Sequence, residues 1–152
     1  MTIGLDLTAV DTTAEFKLGT VMSNIGADGP MKAYKYVKWT DGSAAAAVIG
    51  EVAYYHAAGG SQDTLVSSDV SESVNIGAGV IQSLLTAGTY GWLQVTGPAT
   101  LTIALTAGAD GNALTAVGAG DGTLDVSGAV TDYVCAVADD ISAKEIICCF
   151  PV

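Results

Sequence analysis

From residue 70 onward, short runs rich in Val, Ile, Leu and Thr alternate with turn residues. The breaks fall at Gly77, Gly79, Gly88, Gly97-Pro98, Gly108, Asp110-Gly111, Gly118, Asp121-Gly122 and Gly128. A spacing of about 8–12 residues between such breaks is the pattern of a sandwich or barrel of short antiparallel strands. Upstream, Met31 to Trp39 is dense in aromatic residues and Val and is bounded by Gly29-Pro30 and Asp41-Gly42, which predicts a strand. Period-two alternation sets Lys32, Tyr34, Tyr36 and Lys38 on one face and Ala33, Lys35, Val37 and Trp39 on the other. Tyr90–Val95 followed by Gly97-Pro98 and Ala99–Leu105 predicts a hairpin, with Leu101, Ile103 and Leu105 facing opposite to Thr100, Thr102 and Thr106. Two further strands are expected at Tyr133–Ala138 and Glu145–Phe150. Ser43 to Tyr55 is ambiguous: four alanines after a capping Ser favour a helical start, whereas Val52, Tyr54 and Tyr55 favour a strand. No segment carries a long i, i+3, i+4 apolar stripe, so an α-rich fold is not expected.

Residues 1–30 differ in texture. They mix Asp6, Asp11, Glu15 and Asp28 with short apolar pieces, include the strand-like Phe16–Val21, and carry turn signals at Asn24 to Pro30. The expectation is an extended N-terminal arm over 1–30, ordering against a partner, and a β-rich body over 31–152. The fold class expected is all-β, an antiparallel barrel or sandwich of short strands.

Charge narrows the partners. Sixteen acidic residues against five basic ones give a formal charge of −11, and every basic residue is Lys. Such a chain repels nucleic-acid phosphate and anionic membrane surfaces. The opening Met1–Asp6 lacks the positive n-region of a signal peptide, and no apolar run reaches membrane-spanning length. Three cysteines, two of them adjacent, fit neither a disulfide framework nor a zinc site; they read as small hydrophobes in a reducing cytosol.

Groups suited to catalysis are few. The lone His56 stands beside Tyr54 and Tyr55, no G-x-S-x-G element is present, and Ser67, Ser68 and Ser71 lie in loops. Asp139-Asp140 and the Asp121, Asp125 pair sit in Gly- and Ala-rich turns, where water keeps them ionised. Gly118–Val126 resembles one nonapeptide calcium repeat, and Asp110-Gly111-Asn112 begins an EF-hand spacing that Leu114 breaks. Neither Gly77-Ala78-Gly79 nor Gly118-Ala119-Gly120 completes a phosphate loop. The chain is therefore expected to be non-enzymatic, with no cofactor and no metal. Lys32, Lys35 and Lys38 gather on one aromatic strand, where they read either as edge lysines that discourage aggregation or as a docking edge for an acidic or carbonyl-rich protein surface.

At Tyr90-Gly91-Trp92-Leu93-Gln94-Val95-Thr96-Gly97-Pro98-Ala99 the chain resembles the small head decoration (cement) proteins of tailed bacteriophages. Gly122-Thr123-Leu124, the upstream Phe16-Lys17-Leu18-Gly19-Thr20 and the apolar ending Ile146–Pro151 share the likeness, which spans about residues 14–152. The resemblance implies a β-body on the capsid exterior, made in the host cytoplasm. It implies self-association, often as homotrimers at symmetry axes, and a grip on neighbouring major capsid protein subunits. It implies no catalysis. Phe16, Lys17 and Leu18, with Lys32, Lys35 and Lys38, are the candidate partner contacts. The alternative is a carbohydrate- or host-surface-binding module with Tyr34, Tyr36, Tyr54, Tyr55, Tyr90 or Trp92 as a stacking platform.

Overall fold

The computed structural model describes residues 5–24, 29–40, 46–59 and 64–152. Among these, ten strands follow in chain order: β1 Val21–Asn24, β2 Lys32–Trp39, β3 Val52–His56, β4 Leu65–Ser67, β5 Ser73–Ile81, β6 Tyr90–Thr100, β7 Ala113–Thr115, β8 Asp125–Val126, β9 Val134–Asp140 and β10 Glu145–Cys149. A single 3-10 turn at Val70–Glu72, capped by the Asp69 side chain, leads into β5. The fold is all-β and mostly antiparallel, as the spacing of turn residues predicts.

Pairing runs β1-β2-β4-β3-β5-β6-β10-β9-β7-β8, and β2 also pairs with β6. That extra pairing closes β2, β4, β3, β5 and β6 into a ring of five strands. Only β2 and β4 within it are parallel. Each of the five contributes to one buried cluster: Val37 and Trp39 from β2, Ala53 and Tyr55 from β3, Val66 from β4, Ala78 and Ile81 from β5, and Leu93 from β6. This is the ring interior. The outer wall of β3 and β5 packs against β7, β9 and β10 through Val52, Tyr54, Val80, Leu114, Ala136, Ile146 and Phe150, forming the second core. Tyr54 ties the two bodies together, since its hydroxyl donates to the Thr123 carbonyl and accepts from the Thr123 N–H.

The alternation on β2 holds from Tyr34 onward; Ala33, expected on the face of Val37 and Trp39, packs instead in the second core, beyond a register shift between Ala33 and Tyr34. Lys35, Val37 and Trp39 point into the ring and Tyr34 and Tyr36 point out of it. On the outer wall Tyr36 lies opposite Trp92 of β6, and a third cluster forms there. The segment expected to extend as an arm supplies its cover. Leu5, Leu7, Phe16 and Leu18 pack on Tyr36 and Trp92, and β1 pairs with β2 from Val21↔Lys35 to Asn24↔Lys32. Apolar residues at these positions have an aromatic wall within reach on their own chain, and burying them there removes them from water. Phe16–Thr20 itself is a turn rather than a strand; the strand begins at Val21.

The hairpin expected at Gly97-Pro98 does not form. Residues 90–100 are one continuous strand, and Gly97, at φ +91°, bends it. Its second half pairs with β10, from Thr96↔Cys149 to Thr100↔Glu145, so that edge is already filled. Residues 101–106 keep the apolar-in, Thr-out alternation without being a strand, because their N–H groups serve separate partners: Leu101 donates to Lys144, Thr102 to Gly50 and Thr106 to Leu124. In the ambiguous stretch before Tyr55, a strand starts at Val52, while Ser43–Ala45 lie outside the described residues, as do Met1–Gly4 and 25–28 of the expected turn.

Burial has a measurable consequence for pH. It pushes the hydroxyls of Tyr36 and Tyr55 up to about 12 and the thiols of Cys135 and Cys148 to about 12, and raises Tyr54 as well. Burial lowers Lys35. For the tyrosines and cysteines the unfolded chain loses its protons first, so their stabilisation is complete below about pH 9 and declines as pH rises towards 12, by up to about 1.4 kcal/mol per pH unit for each group. Lys35 acts in the opposite sense, as one group against five. Urea unfolding is expected to show a lower midpoint at pH 10.5 than at pH 8; an unchanged midpoint would mean that these groups reach water in the folded state.

Candidate interaction surface

β10 reads Glu-Ile-Ile-Cys-Cys, apolar on both faces. A strand covered on one side only is expected to alternate apolar with polar, whereas one buried on both sides is continuously apolar. Here Ile146 and Cys148 point into the core, while Ile147 is 40% exposed and Cys149 is also exposed. Register extends the uncovered face across four strands. Ile147 stands opposite Pro98 of β6 on one side and Val137 of β9 on the other, and Val137 stands opposite Ala113 of β7. Val137 is 38% exposed, Ala113 is exposed and Pro98 is half-buried. Val134, the first residue of β9, and Tyr133, just before it, are exposed as well. Asp139 and Glu145 bound one end, facing Lys32 across a cavity of about 270 Å3 floored by Pro98, Ala99 and Thr100. The row is an exposed apolar strip on a chain of charge −11.

The six candidate contact residues separate. Phe16 is edge-on to Tyr36 at 5.3 Å and to Trp92 at 5.2 Å, and Leu18 packs on the same cluster. Both therefore serve the chain's own body. Lys17 is exposed, and its carbonyl accepts from the Thr20 N–H and hydroxyl. The three lysines of β2 do not form a docking edge, because β2 is not an edge strand: β1 and β4 occupy one side and β6 the other. Lys35 is interior. Its ammonium donates to the Tyr55 hydroxyl at 2.6 Å, and that hydroxyl donates to the Pro151 carbonyl at 3.0 Å. Lys32 and Lys38, six residues apart on one strand, stand about 20 Å from each other. Curling of the sheet into a ring, which no local pattern encodes, is the cause.

The residues weighed for chemistry are engaged elsewhere. His56 Nδ1 accepts from the Ala58 N–H at 3.1 Å, and Nε2 lies 3.8 Å from the Glu72 carboxylate. The Ser68 hydroxyl donates to the Ala46 carbonyl and that of Ser71 to Asp69. The turn acids cap backbone: Asp121 accepts from Val70, Asp125 from Val126, Asp110 from Ile141, and Asp140 from Ser142 and Ala143. The Ser142 hydroxyl donates to the same carboxylate, and this bond first, with those from the Ala143 and Ser142 N–H groups, holds the Asp140 carboxyl below the usual carboxylate range. Among the described residues no group of three or more His, Cys, Asp or Glu is placed to hold a metal ion. Of the rings considered for sugar stacking, Tyr34, Tyr36, Tyr54, Tyr55 and Trp92 are buried and Tyr90 is half-buried, so they present no platform.

Sequence reasoning missed the apolar row. Its signal was present in the unbroken Ile-Ile-Cys-Cys-Phe run, which the alternation rule marks as covered on both faces. Comparisons with protein-family models, with curated proteins and with solved structures find no match to this chain.

Proposed function

We propose that the protein is a non-enzymatic virion structural protein, a decoration protein that clusters as homotrimers on the outside of a phage head and bridges neighbouring major capsid subunits. The observation that carries this is the exposed row Pro98–Ile147–Val137–Ala113, an apolar sheet face whose strands are firmly anchored on their other side. A shell-bridging protein needs rigid contact area more than reactive groups, and many weak contacts repeated over a symmetric shell add up to firm attachment. The excess of acid keeps the free protein dispersed before docking. The resemblance of Tyr90–Ala99 to head decoration proteins supports the same reading, and that segment is the strand that contributes Pro98 to the row.

The test is reconstitution on heads that lack the protein. Such heads are expected to release their genome at lower temperature, and added wild-type protein to restore retention. A Val137→Asp, Ile147→Asp double variant, folded by circular dichroism, is expected to bind at least tenfold more weakly, since two charges would be buried without partners. Equal heat resistance with and without the protein would overturn the proposal.

A further inference from the structure

Between the N-terminal segment and the outer wall of the ring lies a second cavity, of about 390 Å3. This falls within the range of small-ligand sites, roughly 300–1,000 Å3. Leu5, Phe16 and Trp92 form an apolar floor and side, and Asp6, Asp11 and Glu15 stand around it. Among the described residues no basic one lines it. The three carboxylates are not equivalent. Asp11 accepts from the Tyr36 hydroxyl, which fixes it to the wall. Asp6 accepts from the Thr8 N–H and hydroxyl, and these bonds hold its carboxyl below the usual range and so ionised. Glu15 is exposed, and its N–H, not its carboxylate, meets Tyr36.

Scattered surface acids are ordinary in so acidic a chain, and alone they would signify nothing. Here they stand over a pocket whose floor is aromatic and aliphatic, so charge and shape select together. An anionic ligand is repelled, a neutral apolar one leaves the carboxylates unused, and a small metal ion gains nothing from the apolar floor. The occupant that uses both parts carries a cation at the end of an apolar stem. We propose that this cavity receives a lysine side chain presented by a partner protein, its methylene stem against Leu5, Phe16 and Met22, above the buried Trp92, and its ammonium among Asp6, Asp11 and Glu15. Long cationic side chains bury their stems on apolar surface while the charged head meets polar groups. The inference stands apart from the apolar row on β10 and holds whether or not the partner is a capsid subunit.

The probe is N-acetyl-lysinamide, titrated into the isotope-labelled whole protein, with the Trp92 indole N–H and the amides of Asp6, Asp11 and Glu15 followed by NMR. Saturable shifts confined to these groups are expected. N-acetyl-norleucinamide, which keeps the stem and lacks the ammonium, is expected to bind at least tenfold more weakly. An Asp6→Asn, Glu15→Gln variant, which spares the Asp11–Tyr36 bond, is expected to lose at least tenfold in affinity with an unchanged unfolding midpoint. Equal binding of the norleucine compound, equal binding to the variant, or non-saturating shifts spread over the acidic surface would each overturn the proposal. Failure of head reconstitution with these results intact would reject the capsid reading and leave this one standing.

Discussion

Trp92→Ala is expected to lower the unfolding free energy by about 4 kcal/mol, within the range of about 3–5 kcal/mol for truncating a buried Phe or Trp. For a domain of 152 residues that corresponds to a fall in Tm of roughly 8–16 °C. The indole is 1% exposed and joins three parts of the chain. It stands in β6, lies opposite Tyr36 of β2 with ring centroids 5.0 Å apart, and receives the edge of Phe16 from the N-terminal segment. Aromatic pairs of this kind contribute about 0.5–1.5 kcal/mol beyond the area they bury. The void left by alanine would adjoin the 390 Å3 cavity, so the wall cannot close over it by a small shift. Leu5, Leu7, Phe16 and Leu18 would lose their principal support, and limited proteolysis should then cut within residues 5–20 while the ring stays intact. Trp39, inside the ring, remains as the fluorescent reporter of global unfolding. A loss below about 1 kcal/mol with the N-terminal segment still protected would show that the segment is held by β1 pairing alone.

What the sequence made legible was local. The aromatic run at 32–39, the strand at 134–140 and the strand at 145–149 follow from alternation and from bounding turn residues, and the structure places all three. The faces of β2 from Tyr34 to Trp39 were equally readable, because side-chain direction on a regular strand follows parity, while the irregularity between Ala33 and Tyr34 that sends Ala33 to the other core was not. What stayed hidden depends on which distant strand fills an edge. Lys35 looked like an edge lysine because nothing in residues 31–39 announces that β4, β1 and β6 flank that strand. Tyr90–Leu105 looked like a hairpin because Gly-Pro is a strong turn signal. Yet β10, some fifty residues later, occupies the edge that a hairpin would have needed.

The candidate surface was half legible. The run Ile146–Phe150 was visible as apolar, but its neighbours in the row, Pro98, Val137 and Ala113, come from three separate stretches that only register brings side by side. The cavity near Trp92 was hidden for the same reason. Asp6, Asp11 and Glu15 stood out in the sequence as part of an acidic, mixed-texture segment; the apolar floor beneath them belongs partly to β6, nearly eighty residues on.

Gly97→Ala is expected to cost about 3 kcal/mol, measured by urea unfolding. Gly97 has φ +91°, where a side chain costs about 1–2 kcal/mol. A Cβ there would also come to 2.5 Å from the Met31 carbonyl oxygen and 3.1 Å from Lys32 Cγ, and the first of these is backbone that must move. The position has no slack. One edge is held by β10 at Cys148, and the Gln94 amide donates to the carbonyls of Thr96 and Pro98 across the bend. Gly111→Ala is the matched control: its φ is +83° and nothing lies within 4 Å of an added Cβ, so only the conformational cost of about 1 kcal/mol applies. A difference of about 2 kcal/mol between the two isolates the close approach of β6 to the Met31–Lys32 backbone; equal losses would mean that this backbone yields freely. Because β6 both closes the ring and pairs with β10, displacement at Gly97 reaches Pro98 and hence the apolar row. With the row as the docking face proposed above, the same substitution should weaken head binding more than its effect on stability alone would account for, whereas Gly111→Ala, on the loop before β7, should not.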